Sequence, residues 1–183
     1  MKDSILPRQP SASRRSLELS TPEKLVKAAR EGLLEDGAAH TSIKTIAARA
    51  GVNHGLIHRH FGSKEALMVA VHADIDYDMP KLKLKNAKAD AKGIMQVIFK
   101  DQRVSIELLS LSYQMPLLKE AMVRRTRKVL RRYSDQQGEL SAVDVLSIGA
   151  EIMGLAVYQA TDPGMPVLDA LTAMLHRYYD YDE

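Results

Sequence analysis

At 183 residues the chain has room for a small head and a larger second core. Its formal net charge is only +3 and its pI about 9.0, a balance that tolerates nucleic acid without demanding it. The absence of cysteine excludes a disulfide frame, a thiolate metal site and a cysteine nucleophile, and it matches a reducing cytoplasm. No apolar stretch precedes a cleavage site near the start, and no run approaches 18 apolar residues. The expectation is therefore a soluble, cytoplasmic protein without a membrane partner. Hydrophobic residues make up 45% of a sequence with few glycines and no sustained Val/Ile alternation, so an all-α fold is expected.

Residues 1–20 hold two prolines, five serines and Arg8, Arg14 and Arg15, with little periodicity. They read as a disordered tail. Its arginines could reach a minor groove, or the tail is simply solvated. Thr21-Pro22-Glu23 then opens a helix, with an N-cap, a proline in the first turn and an acid at the positive end of the dipole. Leu25, Ala28, Ala29 and Leu33, with Leu34 at the edge, give its buried stripe, and Gly37 ends it.

Residues 41–64, TSIKTIAARAGVNHGLIHRHFGSK, organise the rest. Ser42 can cap a helix whose Ile43, Ile46, Ala47 and Ala50 follow helical spacing. Gly51 supplies the positive φ of a sharp stop, Val52 packs inward, and Asn53 caps a second short helix. On that helix Leu56, Ile57 and His60 share one side, while His54, Gly55, His58 and Arg59 fall on the other. A small apolar back behind a front of donors is what reading a major groove requires. The window contains Lys44, Arg49, Arg59 and Lys64 and no acid, a formal +4, whereas residues 22–77 hold seven basic and seven acidic residues. Such an island suits a surface laid against phosphates; the plainer alternative is a helical hairpin with a basic solvated face.

The run T-S-I-K-T-I-A-A-R-A-G-V-N-H-G-L-I-H-R-H-F-G-S-K-E-A-L resembles the DNA-binding head of the TetR family of bacterial transcriptional regulators. That family shows a Thr-rich opening, I-A-x-x-A-G-V, an aromatic near the end of the recognition helix, and then H/Y-F-x-s-K-e-x-L. His58 stands where the family usually has Tyr, a residue that commonly touches the DNA. The resemblance implies a DNA-facing set of Thr41, Ser42, Lys44, Asn53, His54, Gly55, Leu56, His58, Arg59, His60 and Lys64. Lys44 and Lys64 would anchor phosphates. His54 and His58 also have the i, i+4 spacing of a metal pair, but no Glu lies between them and no third ligand is near, so no metal is expected.

Further along, Ser63 caps a helix with Leu67, Met68, Val71 and Ile75 on its inner face, and Pro80 marks its end. Residues 81–92 are lysine-rich and weakly patterned, a helix end or connector. Helical patterning resumes at Ile94 and continues through Leu111; Pro116 starts a long helix to about Gln137. There Arg124, Arg125, Arg127, Lys128, Arg131 and Arg132 fall in one arc, opposite Met122, Thr126, Val129, Leu130 and Tyr133, that reads as a solvated face over a core helix, the alternative being a surface for an additional anionic partner. After Gly138, Ser141 caps a helix to about Ala160 whose apolar residues point almost all round it. Such a helix needs cover on two sides, and a partner subunit is the second cover. Asp162-Pro163-Gly164 turns the chain into a last helix.

G-L-A-V-Y-Q-A-T-D-P, at residues 154–163, is also similar to the penultimate-helix ending of many TetR members, in which the last two helices form a four-helix dimer interface. The resemblance thus implies a homodimer through Ile148, Ile152, Met153, Val157, Leu171 and Leu175. It also implies an enclosed small-molecule effector, with Met95, Phe99, Arg103, Met115 and Met122 as candidates for lining its site or as ordinary core. No nucleophile elbow, phosphate-cradling glycine loop or dinucleotide fingerprint is present, so neither an enzyme nor a cofactor is expected. The expected organisation is a tail (1–20), a three-helix helix-turn-helix DNA-binding head (21–77, motif about 42–61) and a helical effector-binding and dimerisation bundle (78–183). Its function would be repression at a palindromic operator on double-stranded DNA, relieved by the effector. The alternative is a helical interaction module whose helix-turn-helix no longer binds DNA.

Overall fold

A computed structural model describes residues 19–75, 81–136 and 140–181, without the side chains of residues 133–136. The arginines of the tail, Pro80, Tyr133 and Gly138 lie outside this description. All regular structure among the described residues is helical: α1 (Thr21–Glu35), α2 (Ile43–Ala50), α3 (Gly55–Phe61), α4 (Lys64–Asp74), α5 (Ala87–Ile98), α6 (Gln102–Ser112), α7 (Pro116–Gln136), α8 (Ala142–Thr161) and α9 (Val167–Tyr178).

The caps explain most of the boundaries. The N-cap of α1 is Ser20 rather than Thr21, because the Glu23 carboxylate accepts from both the Ser20 amide (2.7 Å) and its hydroxyl (2.6 Å). These bonds hold the Glu23 carboxyl below its ordinary pKa. The lysine-rich stretch 81–92 is not all connector. Asn86 accepts from the Ala89 amide at 2.8 Å and starts α5 inside that stretch. Asp90 is buried there and accepts from the amides of Lys83 and Leu84, so the preceding turn folds onto the helix it leads into. A 3-10 turn at Phe99–Asp101 separates α5 from α6.

Two cores result. In the first, Leu25, Ala29 and Leu33 of α1, Ile46 of α2, Ile57 of α3, and Leu67, Met68 and Val71 of α4 pack together. Val104 and Leu108 of α6 and Leu118 of α7 belong to this same core, so the head is not closed at residue 77 but continues into the body. The second core joins Ala87, Ala91 and Ile94 of α5 to Ile148 and Ile152 of α8 and Leu171, Met174 and Leu175 of α9. Polar links tie head to body. Glu107 accepts from the Ala38 amide at 2.8 Å, Arg30 pairs with the buried Asp101, and Glu65 accepts from the Leu117 amide at 2.6 Å near the start of α7.

Two expectations are corrected here. Arg125 is not part of a solvated face: it donates to the carbonyls of Ile75 (2.6 Å) and His72 (3.1 Å), satisfying acceptors at the end of α4. Ile148, Ile152, Leu171 and Leu175 are buried in the chain's own second core and cannot also face a partner; of the six expected interface residues, Met153 and Val157 stay exposed. By length and mean hydropathy (1.3) α8 could cross a membrane, although only a sixth of its most apolar window is buried. Val143, Leu146, Met153, Val157 and Tyr158 of α8 are exposed.

Candidate nucleic-acid interface

The reading unit is built by short-range bonds. The Ser42 hydroxyl accepts from the Thr45 amide at 3.1 Å, and the Thr45 hydroxyl closes a capping box by accepting from the Ser42 amide at 2.8 Å. α2 ends at Gly51 with φ +66°, which a glycine adopts at little cost. The expected cap at Asn53 falls one residue early: His54 is the boundary residue, and the Asn53 side chain instead accepts from the Gly55 amide at 2.8 Å. That bond still satisfies a donor in the first turn of α3. Gly62, with φ +77°, ends α3, and the Ser63 hydroxyl starts α4 at once by accepting from the Ala66 amide at 3.1 Å.

Ile57 is fully buried on the inner side of α3, with Leu56 and Phe61 half-buried beside it. The expectation that His60 shares this inner side is corrected: His60 is exposed and the larger Phe61 takes the place against the core. The outer surface therefore carries Asn53, His54, Gly55, His58, Arg59 and His60, with Ser42 and Lys44 exposed on α2. His58 Nδ1 lies 3.1 Å from the Gly62 carbonyl oxygen. A carbonyl only accepts, so Nδ1 is the donor in this contact. Lys64 is half-buried at the first position of α4, and burial holds its ammonium pKa below the ordinary value.

Two of the residues singled out from the sequence do not belong to this surface. Thr41 is 1% exposed and its hydroxyl donates to the Gly37 carbonyl at 2.7 Å, so it packs under α1 and does not face DNA. Arg49 forms ion pairs with Glu35 (2.6 Å) and Asp36 (2.8 Å) of the α1 end. The window is acid-free in sequence but not in space, because helix packing brings two carboxylates to its edge. Lys44, Arg59 and Lys64 remain as the cations of the face.

A sequence profile of bacterial regulatory proteins of the tetR family matches residues 25–71, which span α1 to α4. Over residues 25–71 the chain is similar to the DNA-binding head of the TetR family. It is 39% identical over 85 residues to the HTH-type transcriptional repressor Rv3405c of Mycobacterium tuberculosis and equally to the HTH-type transcriptional regulator Mb3439c of Mycobacterium bovis. Each match covers 45% of this chain, and the chain spans about half the length of these curated relatives, 45%. The fold as a whole resembles a transcriptional regulator from Rhodococcus sp. at TM-score 0.69 and 16% identity, over 87% of this chain and 96% of that one. It also resembles NalD of Pseudomonas aeruginosa, the secondary repressor of the MexAB-OprM multidrug efflux pump, at TM-score 0.57 and 19% identity, over 86% and 94% of the two chains.

Behind this TetR-type head, α6, α7 and α8 enclose an open cleft of about 600 Å³ along the seam between the two cores. Of the five residues expected at an effector site, only Met122 lines it. Met115 packs against the first core, Met95 and Phe99 against the second, and Arg103 is exposed. Sequence reading missed Ile106, Leu109 and Leu146 and assigned Met153 to the dimer interface; all four line the cleft while remaining exposed. Their only sequence signal was apolarity in excess of one buried stripe on α6 and α8. His72 lines the cleft too; burial, and then the nearby Arg125 charge, push its pKa down to about 4.

Proposed function

We propose that the protein is a sequence-specific DNA-binding transcriptional regulator, a repressor that binds a palindromic operator as a homodimer and is released by a small molecule. The observation that carries this reading is the outer face of α3. It exposes Gly55, His58, Arg59 and His60, with Asn53 and His54 exposed just before it, is held from behind by Ile57, and is accompanied by Lys44 of α2 and Lys64 of α4. A rigid helix with donors in front and cations at its edges fits the major groove with phosphates on either side.

In this reading residues 21–77 supply DNA recognition and residues 78–183 bind the effector and dimerise, with no catalytic role. The dimer would form on the uncovered part of α8, where Val143, Val157 and Tyr158 are exposed. Residues 1–20 would be an accessory tail, and the site of action would be the cytoplasm.

Selection from random-sequence duplex DNA with purified protein tests the reading. A dyad-symmetric enriched motif is expected. No enrichment would favour an interaction module instead. In sedimentation equilibrium at micromolar concentration, wild type should be dimeric and Val157→Asp monomeric; a monomeric wild type removes the symmetric-operator part.

A further inference from the structure

We propose that His58 reads a base edge in a proton-dependent way: Nε2 accepts from the base when the ring is neutral and donates to it when the ring is protonated, so pH decides which base is preferred there. This rests on the DNA-binding reading above and adds the recognition chemistry of one residue.

His58 and Gly62 are joined twice. The Gly62 amide donates to the His58 carbonyl at 2.9 Å, and His58 Nδ1 donates to the Gly62 carbonyl at 3.1 Å. Gly62, at φ +77°, is the stop of α3, so the pairing is built into the end of the helix itself. A ring that keeps its proton on Nδ1 has only Nε2 left to titrate. Protonation preserves the contact, because a cationic donor bonds a carbonyl more strongly than a neutral one and a helix end favours positive charge. The ring is thus held from one nitrogen while the other changes from acceptor to donor. His54 and His60 are exposed on the same outer surface, yet neither has a side-chain hydrogen bond among the described residues, so nothing fixes their tautomers.

No described carboxylate competes for this ring. α3 packs against α1 and α4. The acids at α1 are engaged elsewhere: Glu23 with Ser20, Glu31 with Lys27, and Glu35 and Asp36 with Arg49 of α2. On α4, Glu65 accepts from the Leu117 amide, while His72 and Asp74 stand at the far end of the helix. Arg30 pairs with the buried Asp101, and Lys24, Lys44, Arg59 and Lys64 add only positive charge. The negative charge that the ring meets on binding is therefore that of the DNA, and phosphates favour the protonated form. Imidazole changes charge between about pH 5 and 8, so both forms are accessible.

The two forms suit different bases. In the major groove an acceptor matches the amino groups of adenine N6 and cytosine N4, whereas a donor matches guanine N7 and O6 or thymine O4.

Selection from random-sequence duplex DNA with the full chain at pH 8 and at pH 6, at one salt concentration, tests the proposal. One position of the enriched motif should change from adenine or cytosine at pH 8 to guanine or thymine at pH 6. The sequence selected at pH 6 should bind at least about tenfold more tightly at pH 6 than at pH 8. In His58→Gln, at an exposed position, the same base should be selected at both pH values. An identical wild-type motif at both pH values would overturn the proposal and leave DNA binding established, and so would a base change that survives in His58→Gln. No enriched motif at either pH would overturn the proposal together with the DNA-binding reading.

Discussion

The first core and the α6–α8 cleft are made of similar side chains used in opposite ways. Leu25, Ile57, Leu67 and Met68 are fully buried, and the helices that carry them are short and capped almost back to back. Beside the cleft, Leu109, Leu146 and Met153 remain exposed although they are as apolar as anything in the head. The head spends its apolar groups on fixing one geometry for α3, as a reading surface requires. The body leaves apolar surface open along one seam, and such surface gains free energy only when something else covers it.

Substitutions should expose this contrast, beginning with the largest effect. Leu67→Ala, in the first core, should cost about 3 kcal/mol in urea unfolding, whereas Leu146→Ala in the cleft should cost less than about 1 kcal/mol. Because α6 and α7 complete the head's core, Leu67→Ala should shift the unfolding of head and body together. Two separate transitions would show that the cores are independent.

The next effect is set by pH and belongs to the seam. His72 has its pKa held near 4, so between about pH 6.5 and 4 the unfolded chain binds a proton that the folded chain refuses. Stability is therefore unaffected by His72 above pH 6.5 and falls as pH drops through that window, by up to about 3 kcal/mol. His72→Leu should flatten this part of the pH–stability curve. An unchanged slope would assign the acid sensitivity to other groups.

Smaller effects separate two cations that look alike in sequence. Lys64→Ala should weaken binding to every DNA sequence by about tenfold and reduce the salt slope by about one per subunit. Arg49→Ala should leave that slope unchanged, since Glu35 and Asp36 already engage its charge, and should cost at most about 1 kcal/mol of stability. If the two variants shifted the slope equally, Arg49 would have to leave its carboxylates on DNA.

The helix-turn-helix was legible because its determinants are local. Ser42, Gly51, Asn53 and Ser63 act on backbone groups within a few residues of themselves, so their spacing predicts the elements they bound. Even the errors there are short-range: a cap displaced by one residue at Ser20 and His54, and His60 exchanged for Phe61 on the inner side. The sequence determined the all-helical class, the helix breaks at Gly37, Gly51 and Ser63, the buried stripes of α1 and α4, and the outward side of α3 at Gly55, His58 and Arg59.

What only the tertiary structure decided depends on groups far apart in the chain. The Arg49 pairs with Glu35 and Asp36, the burial of Thr41 against α1 and the bonds from Arg125 to the end of α4 all arise from how helices cross, which periodicity within one helix cannot reveal. The same holds for α8. Its sequence is apolar nearly all round, and only the placement of α5, α6, α7 and α9 divides that surface into a buried stripe at Ile148 and Ile152, a cleft wall at Leu146 and Met153, and an uncovered edge at Val143 and Tyr158. Burial is a property of pairs of elements, so a single helix can state how much apolar surface it carries but not what each part of it will meet.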